Sequence, residues 1–144
     1  MLTFLGFSPY LPSKNYDYVA FVVIMARFED KWIFVQHKRR TTLECPGGKR
    51  EQGETLLAAA RRELREESGA VRFDIKPVNI YKICDEKTGL QSCGLLCLAK
   101  VHELGPLPES EIGRVYLMRS CPTDMTYPTV LPHLYEYITQ KLHP

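Results

Sequence analysis

The sequence predicts an α+β fold in which a mixed β-sheet lies between helices. Three observations predict it. Runs rich in β-branched and aromatic residues occur early in the chain and again after Pro77, a long segment of strong helix formers separates them, and a second segment with helical spacing closes the chain. Strands, a helix, more strands and a closing helix suit a sheet covered on both faces. The 144 residues are expected to form a single domain over 1–144, long enough to bury a real core. Hydrophobic residues at 44% and charged residues at 25% exclude a disordered or collagen-like chain.

The opening "MLTFLGFSPYLPSKNYDY" has no basic n-region, and Pro9 and Pro12 break its apolar start. No later apolar run approaches the ~18 residues of a membrane span, so the expectation is a cytoplasmic protein with no membrane partner. Tyr18–Phe28 and Trp32–Lys38 then read as a β-hairpin around the break "EDK". "CPGGK", Cys45 to Lys49, reads as a tight turn. Beyond it, Glu54–Ser68 is rich in Leu, Ala, Arg and Glu and predicts a helix of about four turns, with Gly69 as its stop. Val78–Asp85 and Leu90–Glu103 are strand-like runs separated by the turn signal "EKTG", and Arg114–Met118 is a further short strand. In Thr129–His143 the residues Leu131, Leu134, Tyr135, Ile138 and Leu142 fall at helical spacing, which predicts an amphipathic helix lying on the sheet.

The five cysteines are odd in number and include no CxxC pair, so they suggest neither a disulfide framework nor a zinc site. Cys93 and Cys97 are expected on one strand face as small core residues. The net charge of +2 gives no reason to expect stable nucleic-acid binding, although "QHKRR" at Gln36–Arg40 could meet an anion locally.

The helix carries the chemistry. On a wheel, Leu57, Ala60 and Leu64 face a core, and Glu63, Glu66 and Glu67 crowd one stripe beside them. A solvated, salt-bridged face is the plain alternative, and Arg62 with Glu66 fits it. That alternative would alternate signs, however, whereas Glu63 meets Glu66 and Glu67 at the i+3 and i+4 offsets, an arrangement that repels unless a cation lies among them. Hard divalent cations take oxygen ligands of this kind together with substrate phosphates. The glycines before the helix admit close backbone approach, a helix N-terminus favours anions, and Lys49 adds positive charge there.

Gly48, Glu54, Arg62, Glu63, Leu64, Glu66, Glu67 and Gly69 together resemble the signature of the Nudix hydrolase family: Gly, five residues, Glu, seven residues, then Arg-Glu-aliphatic-x-Glu-Glu-x-Gly-aliphatic. The signature spans 23 residues and departs only at Ala70, smaller than the usual aliphatic residue. The resemblance implies a Nudix-type α/β/α sandwich and hydrolysis of a small-molecule nucleoside diphosphate derivative with Mg²⁺ or Mn²⁺. Under it, Glu63, Glu66, Glu67 and the carbonyl of Gly47 match metal ligands, while Glu54 and Arg62 match positions that orient the carboxylates. The general base is then Glu63 or an acid of the later loop "LPESEIGRV", Glu109 or Glu111, with Glu111 favoured.

The stretch from Tyr16 to Glu54, with Leu43-Glu44-Cys45 leading into Pro-Gly-Gly, further resembles the MutT-type branch, which hydrolyses nucleoside triphosphates including oxidised guanine nucleotides. Arg39, Arg40, Lys49 and Gly48 then become candidate substrate contacts, with a nucleoside monophosphate and pyrophosphate as products. Arg39 and Arg40 read equally as a solvated strand end. ADP-ribose or another nucleoside diphosphate derivative is the alternative substrate, and a non-catalytic nucleotide sensor is the alternative from another class. The oligomeric expectation is a monomer or homodimer.

Overall fold

The structure, a computed structural model, describes residues 1–142. In chain order its elements are β1 (Leu2–Pro9), β2 (Phe21–Phe28), β3 (Lys31–His37), β4 (Gly47–Lys49), α1 (Leu56–Ser68), β5 (Ala70–Asp85), β6 (Gln91–Leu104), β7 (Ile112–Met118) and α2 (Leu131–Tyr137), which continues through π-type turns over Ile138–Leu142. The sheet runs β1-β5-β6-β2-β3-β7, with β4 paired to β2. It is mixed, because β2 and β6 are parallel while the other strand pairs are antiparallel.

Side-chain alternation divides this sheet into two faces. Val22, Ile24 and Ala26 of β2 and Ile33 and Val35 of β3 pack with Leu56, Ala59, Ala60 and Leu64 of α1. Met25, Trp32 and Phe34 point the other way, into a cluster with Leu131, Leu134 and Ile138 of α2. The predicted helical face near the C-terminus is therefore present, with Tyr135 half-buried against Trp32. The side chain of Leu142 and residue His143 lie outside the described residues. Cys93 and Cys97 share the α1 face, as expected, and the five cysteines are free thiols.

Four features differ from the sequence reading. β1 was not anticipated: it is an edge strand with a half-exposed pattern, bulged at Phe4/Gly6, so it lacks the clean alternation of a central strand. β5 starts at Ala70, directly after the helix stop, and not at Val78; its first half alternates exposed Arg72, Asp74 and Lys76 with half-buried Phe73 and Ile75 and passes through Pro77 at a bulge. The helix begins later than Glu54. Thr55 is its N-cap, its side chain accepting from the Ala58 N–H, and Gly69 ends it in the left-handed region at φ 81°.

The fourth difference positions the site. The β2–β3 hairpin exists, but its strands pair only at Arg27↔Trp32 and Phe28↔Lys31 before they part. Residues Glu44–Lys49 fill the gap, with Glu44 bridged to Val35 of β3 and Gly47–Lys49 running antiparallel to Phe21–Val23 of β2. "CPGGK" is thus a wedge ending in a short strand and not a tight turn. Its glycines are needed for close approach across the sheet, not for reversal of the chain.

Candidate active site

α1 crosses the α1 face beside this wedge. Glu63 and Glu67 occupy its buried side, each 8% exposed, while Glu66 points outward. The predicted core face of Leu57, Ala60 and Leu64 is corrected accordingly: the core side of the helix is Leu56, Ala59, Ala60, Glu63, Leu64 and Glu67, and Leu57 is only half-buried. The Gly47 N–H donates to Glu67 Oε1 at 2.9 Å. Gly48 has no side chain where Glu63 needs room, since a Cβ there would lie 1.5 Å from Glu63 Oε2.

Burial acts on both acids. It pushes the Glu67 carboxyl up to about 8, with the Gly47 N–H opposing and Glu63, Glu44 and Glu111 adding to the rise. It pushes Glu63 up to about 7, against the pull of Arg62. Arg62 is the positive centre of the cluster. Its Nε and Nη2 form a fork on Glu54 at 2.7 and 3.0 Å, Nη1 reaches Glu63 at 3.0 Å and Glu66 at 3.3 Å, and Nη2 donates to the Lys49 carbonyl at 3.1 Å. Those bonds hold the Glu54 carboxyl below its usual range.

A hard divalent cation fits the donor set, which is all carboxylate and carbonyl oxygen. Among the described residues no three His, Cys, Asp or Glu side chains already converge as a metal cage. The guanidinium of Arg62 stands among the carboxylates, so they are gathered but held by an internal cation.

Two residues that the sequence reading did not single out complete the cluster. His37 Nε2 lies 3.2 Å from Glu44 and 4.0 Å from Glu67, and its Nδ1 lies 3.8 Å from Glu111. Glu44 also pairs with Arg40 at 2.9 Å. The parity of Ile33, Val35 and His37 pointed His37 toward the helix, but Glu44 comes close only because β2 and β3 part. Of the two loop acids, Glu111 reaches the cluster, whereas Glu109 is drawn off to Lys38 at 2.7 Å. Arg39 is exposed at the strand end.

On the opposite face, a cavity of about 280 Å³ opens beside the same wedge. Phe21, Val23, Tyr81 and Ile83 of the sheet and Leu131 and Leu134 of α2 line it, with Glu44, Gly48 and Lys49 also in its wall. The wall is mainly apolar, as in small-molecule sites with a few placed polar groups. Among the described residues no helix is long and apolar enough to cross a membrane.

Residues 17–119 match the NUDIX domain family. YtkD of Bacillus subtilis (strain 168), a candidate 8-oxo-dGTP diphosphatase by its description, is 40% identical over 62 residues, a match spanning 43% of this chain and 39% of that protein. Among solved structures, the Bacillus subtilis pyrophosphohydrolase BsRppH superposes with a TM-score of 0.77 at 24% identity, over 93% of this chain and 89% of its own. A Nudix hydrolase from Nitrosomonas europaea superposes with a TM-score of 0.67 at 22% identity, over 83% and 87%. The chain belongs to the Nudix family, hydrolases of pyrophosphate bonds in small nucleotide substrates that generally use divalent metal ions.

Proposed function

Within that family, we propose that this chain is a metal-dependent pyrophosphohydrolase. It cleaves a nucleoside triphosphate, with oxidised guanine nucleotides as leading substrates, to the nucleoside monophosphate and pyrophosphate. One observation carries the reading: the apolar cavity and the carboxylate helix flank the same short strand, with Gly48 and Lys49 in the cavity wall and Glu63 and Glu67 beneath Gly48 and Gly47. A base held on one face therefore delivers its phosphates to the acids on the other. The match to YtkD supports the oxidised-guanine branch.

Glu63, Glu66, Glu67 and the Gly47 carbonyl would hold Mg²⁺ or Mn²⁺. When bound, the ion supplies charge neutralisation on the phosphoryl oxygens and a lower pKa for an attacking water. Arg62 and Glu54 orient the carboxylates through the fork described above. Lys49 and the backbone at Gly48 take phosphate oxygens. Arg39 is available for an outer phosphate, while Arg40 is already engaged by Glu44. Glu111 lies nearer the cluster than Glu109 and is the preferred base on the loop, with Glu63 the alternative. Water attacks an inner phosphorus, its bond to the bridging oxygen breaks, and pyrophosphate leaves. The chain is read as one cytoplasmic domain acting as a monomer or homodimer.

Product chromatography without added pyrophosphatase tests this. Nucleoside monophosphate and pyrophosphate are expected as first products with Mg²⁺ or Mn²⁺. Nucleoside diphosphate and orthophosphate would overturn the reaction. Inert triphosphates with cleavage of ADP-ribose would keep the chemistry and move the substrate.

A further inference from the structure

Glu111 is placed by its backbone but not by its own side chain. Gln36 pairs with Arg114 and His37 with Ile112, so Gly113 is an extra residue that bulges β7 and re-aims the chain before it. The Lys38 N–H donates to the Glu111 carbonyl at 2.9 Å, and the Ile112 N–H donates to Ser110 Oγ at 3.1 Å. The backbone on both sides of Glu111 is thereby tied down at the end of β3. Its side chain is 86% exposed, and a long exposed acid gives up rotamer freedom whenever it is held. Among the described residues, the only basic side chain within 4.0 Å of its carboxylate is His37, whose Nδ1 lies 3.8 Å away.

The ring of His37 is itself fixed from behind. Its Nε2 lies 3.2 Å from Glu44 Oε1, and Arg40 Nη1 donates to the other oxygen, Glu44 Oε2, at 2.9 Å. The backbone of Glu44 exchanges two hydrogen bonds with Val35, at 2.8 and 3.0 Å. Arg40, Glu44 and His37 form a row in which each oxygen of Glu44 is used once. With Nε2 engaged by Glu44, the second ring nitrogen is left for Glu111.

We propose that His37 is a positioning residue, held by Arg40 and Glu44, that keeps the Glu111 carboxylate turned toward the acids of α1. The proposal rests on the reading above that Glu111 is the base on the loop. The ring also stands 4.0 Å from Glu67, so it lies between the loop and the helix. The 3.8 Å separation from Glu111 is longer than a hydrogen bond and closes by rotation of an exposed side chain, as catalytic hydrogen bonds tighten when substrate is bound.

Steady-state hydrolysis of dGTP and of ADP-ribose by the intact chain with Mg²⁺ tests this, since either substrate reports on the base. A glutamine amide falls where Nε2 of a histidine stands, and an asparagine amide where Nδ1 stands. His37→Gln therefore keeps the contact to Glu44, and His37→Asn keeps the one to Glu111. His37→Gln is expected to lower kcat roughly tenfold, the same order as Glu111→Gln, with KM changed by less than about twofold. His37→Asn is expected to lose only about threefold. In the double variant of His37→Gln with Glu111→Gln the loss should stay near tenfold, because the ring then acts through an acid that is no longer there. Losses that multiply to about a hundredfold would overturn the proposal, since a merely structural histidine adds its effect independently. Wild-type kcat in His37→Gln would overturn it as well, and so would a loss in His37→Asn equal to or larger than that in His37→Gln. Full activity in Glu111→Gln would remove the base reading and this proposal together. The expected pattern on ADP-ribose alone would support the positioning role while the triphosphate reading fell.

Discussion

On the α1 face, the buried helix positions include Glu63 and Glu67 beside Ala59, Ala60 and Leu64. On the α2 face, the helix presents Leu131, Leu134 and Ile138, yet the sheet beneath is left hollow by about 280 Å³. One face accepts charge where water is scarce, and the other leaves volume where packing would be cheap. Both choices cost stability: buried carboxylates must be compensated, and unfilled space forfeits contacts. Under the proposed function, the difference teaches that reaction and recognition are divided between the two sides of one sheet. They communicate through Gly47–Lys49, the only strand wedged into the gap between β2 and β3 among the described residues.

The most direct way to break the comparison is to neutralise the charged face. Glu66→Gln or Glu67→Gln should lower turnover by at least about 100-fold, more than the loss typical of a merely supporting residue, while the fold survives. A drop below about tenfold in both would remove the metal-ligand role and with it the reason for the charge.

Glycine substitutions on opposite faces sharpen the same contrast. Gly48→Ala drives a methyl into Glu63 and should reduce kcat by up to about 100-fold, the order expected when a reacting group is displaced by about an ångström. Gly94→Ala, which instead meets the rings of Phe21 and Tyr81, should raise KM more than it lowers kcat. Similar kcat and KM changes in the two variants would show that the faces do not divide the work.

A smaller effect separates the loop acids. Glu111→Gln should depress kcat by roughly tenfold, below the range of a fully positioned base, and Glu109→Gln by less, because Glu109 is engaged by Lys38. The reverse order in steady-state kinetics would shift the role to Glu109, and no effect from either would leave Glu63.

The smallest effect is on stability. In metal-free protein, Glu63 and Glu67 are raised by burial to about 7 and about 8 from 4.5, so between those values the folded state binds more protons than the unfolded. Stability therefore falls as pH rises from about 4.5 to 8. Melting curves of chelator-treated protein should show a lower Tm at the alkaline end, and Glu67→Gln should flatten the slope. A Tm that stays flat or climbs across this window would mean that burial does not raise the two carboxyls.

The charged face was the more legible of the two. α1 could be read from its helix formers and the stop at Gly69, because these relations are local, and the resemblance to the family signature placed Arg62 and Glu54 together, where they now stand in contact. Which glutamate faces inward was not legible: Glu63 and Glu67 are buried because the wedge crosses above them, a pairing that depends on β2 twenty-odd residues away. His37 and Glu44 escaped for the same reason. The α2 face was hardly legible at all, since its cavity gathers residues from β1, β2, β5 and α2 with no shared spacing. β1 itself was hidden by its half-exposed edge pattern, and the first half of β5 by Pro77.

Arg62 links Glu54, eight residues back, with the Lys49 carbonyl, thirteen back. This closure is short-range and uses no ion, so it can form as soon as the segment leaves the ribosome, before β5, β6 and β7 have been made. Glu54, Glu63 and Glu66 are thereby gathered around an internal countercharge by contacts local to the segment. The shape of this segment therefore draws on contacts within the chain, whereas the proposed reaction also needs a divalent metal from outside it.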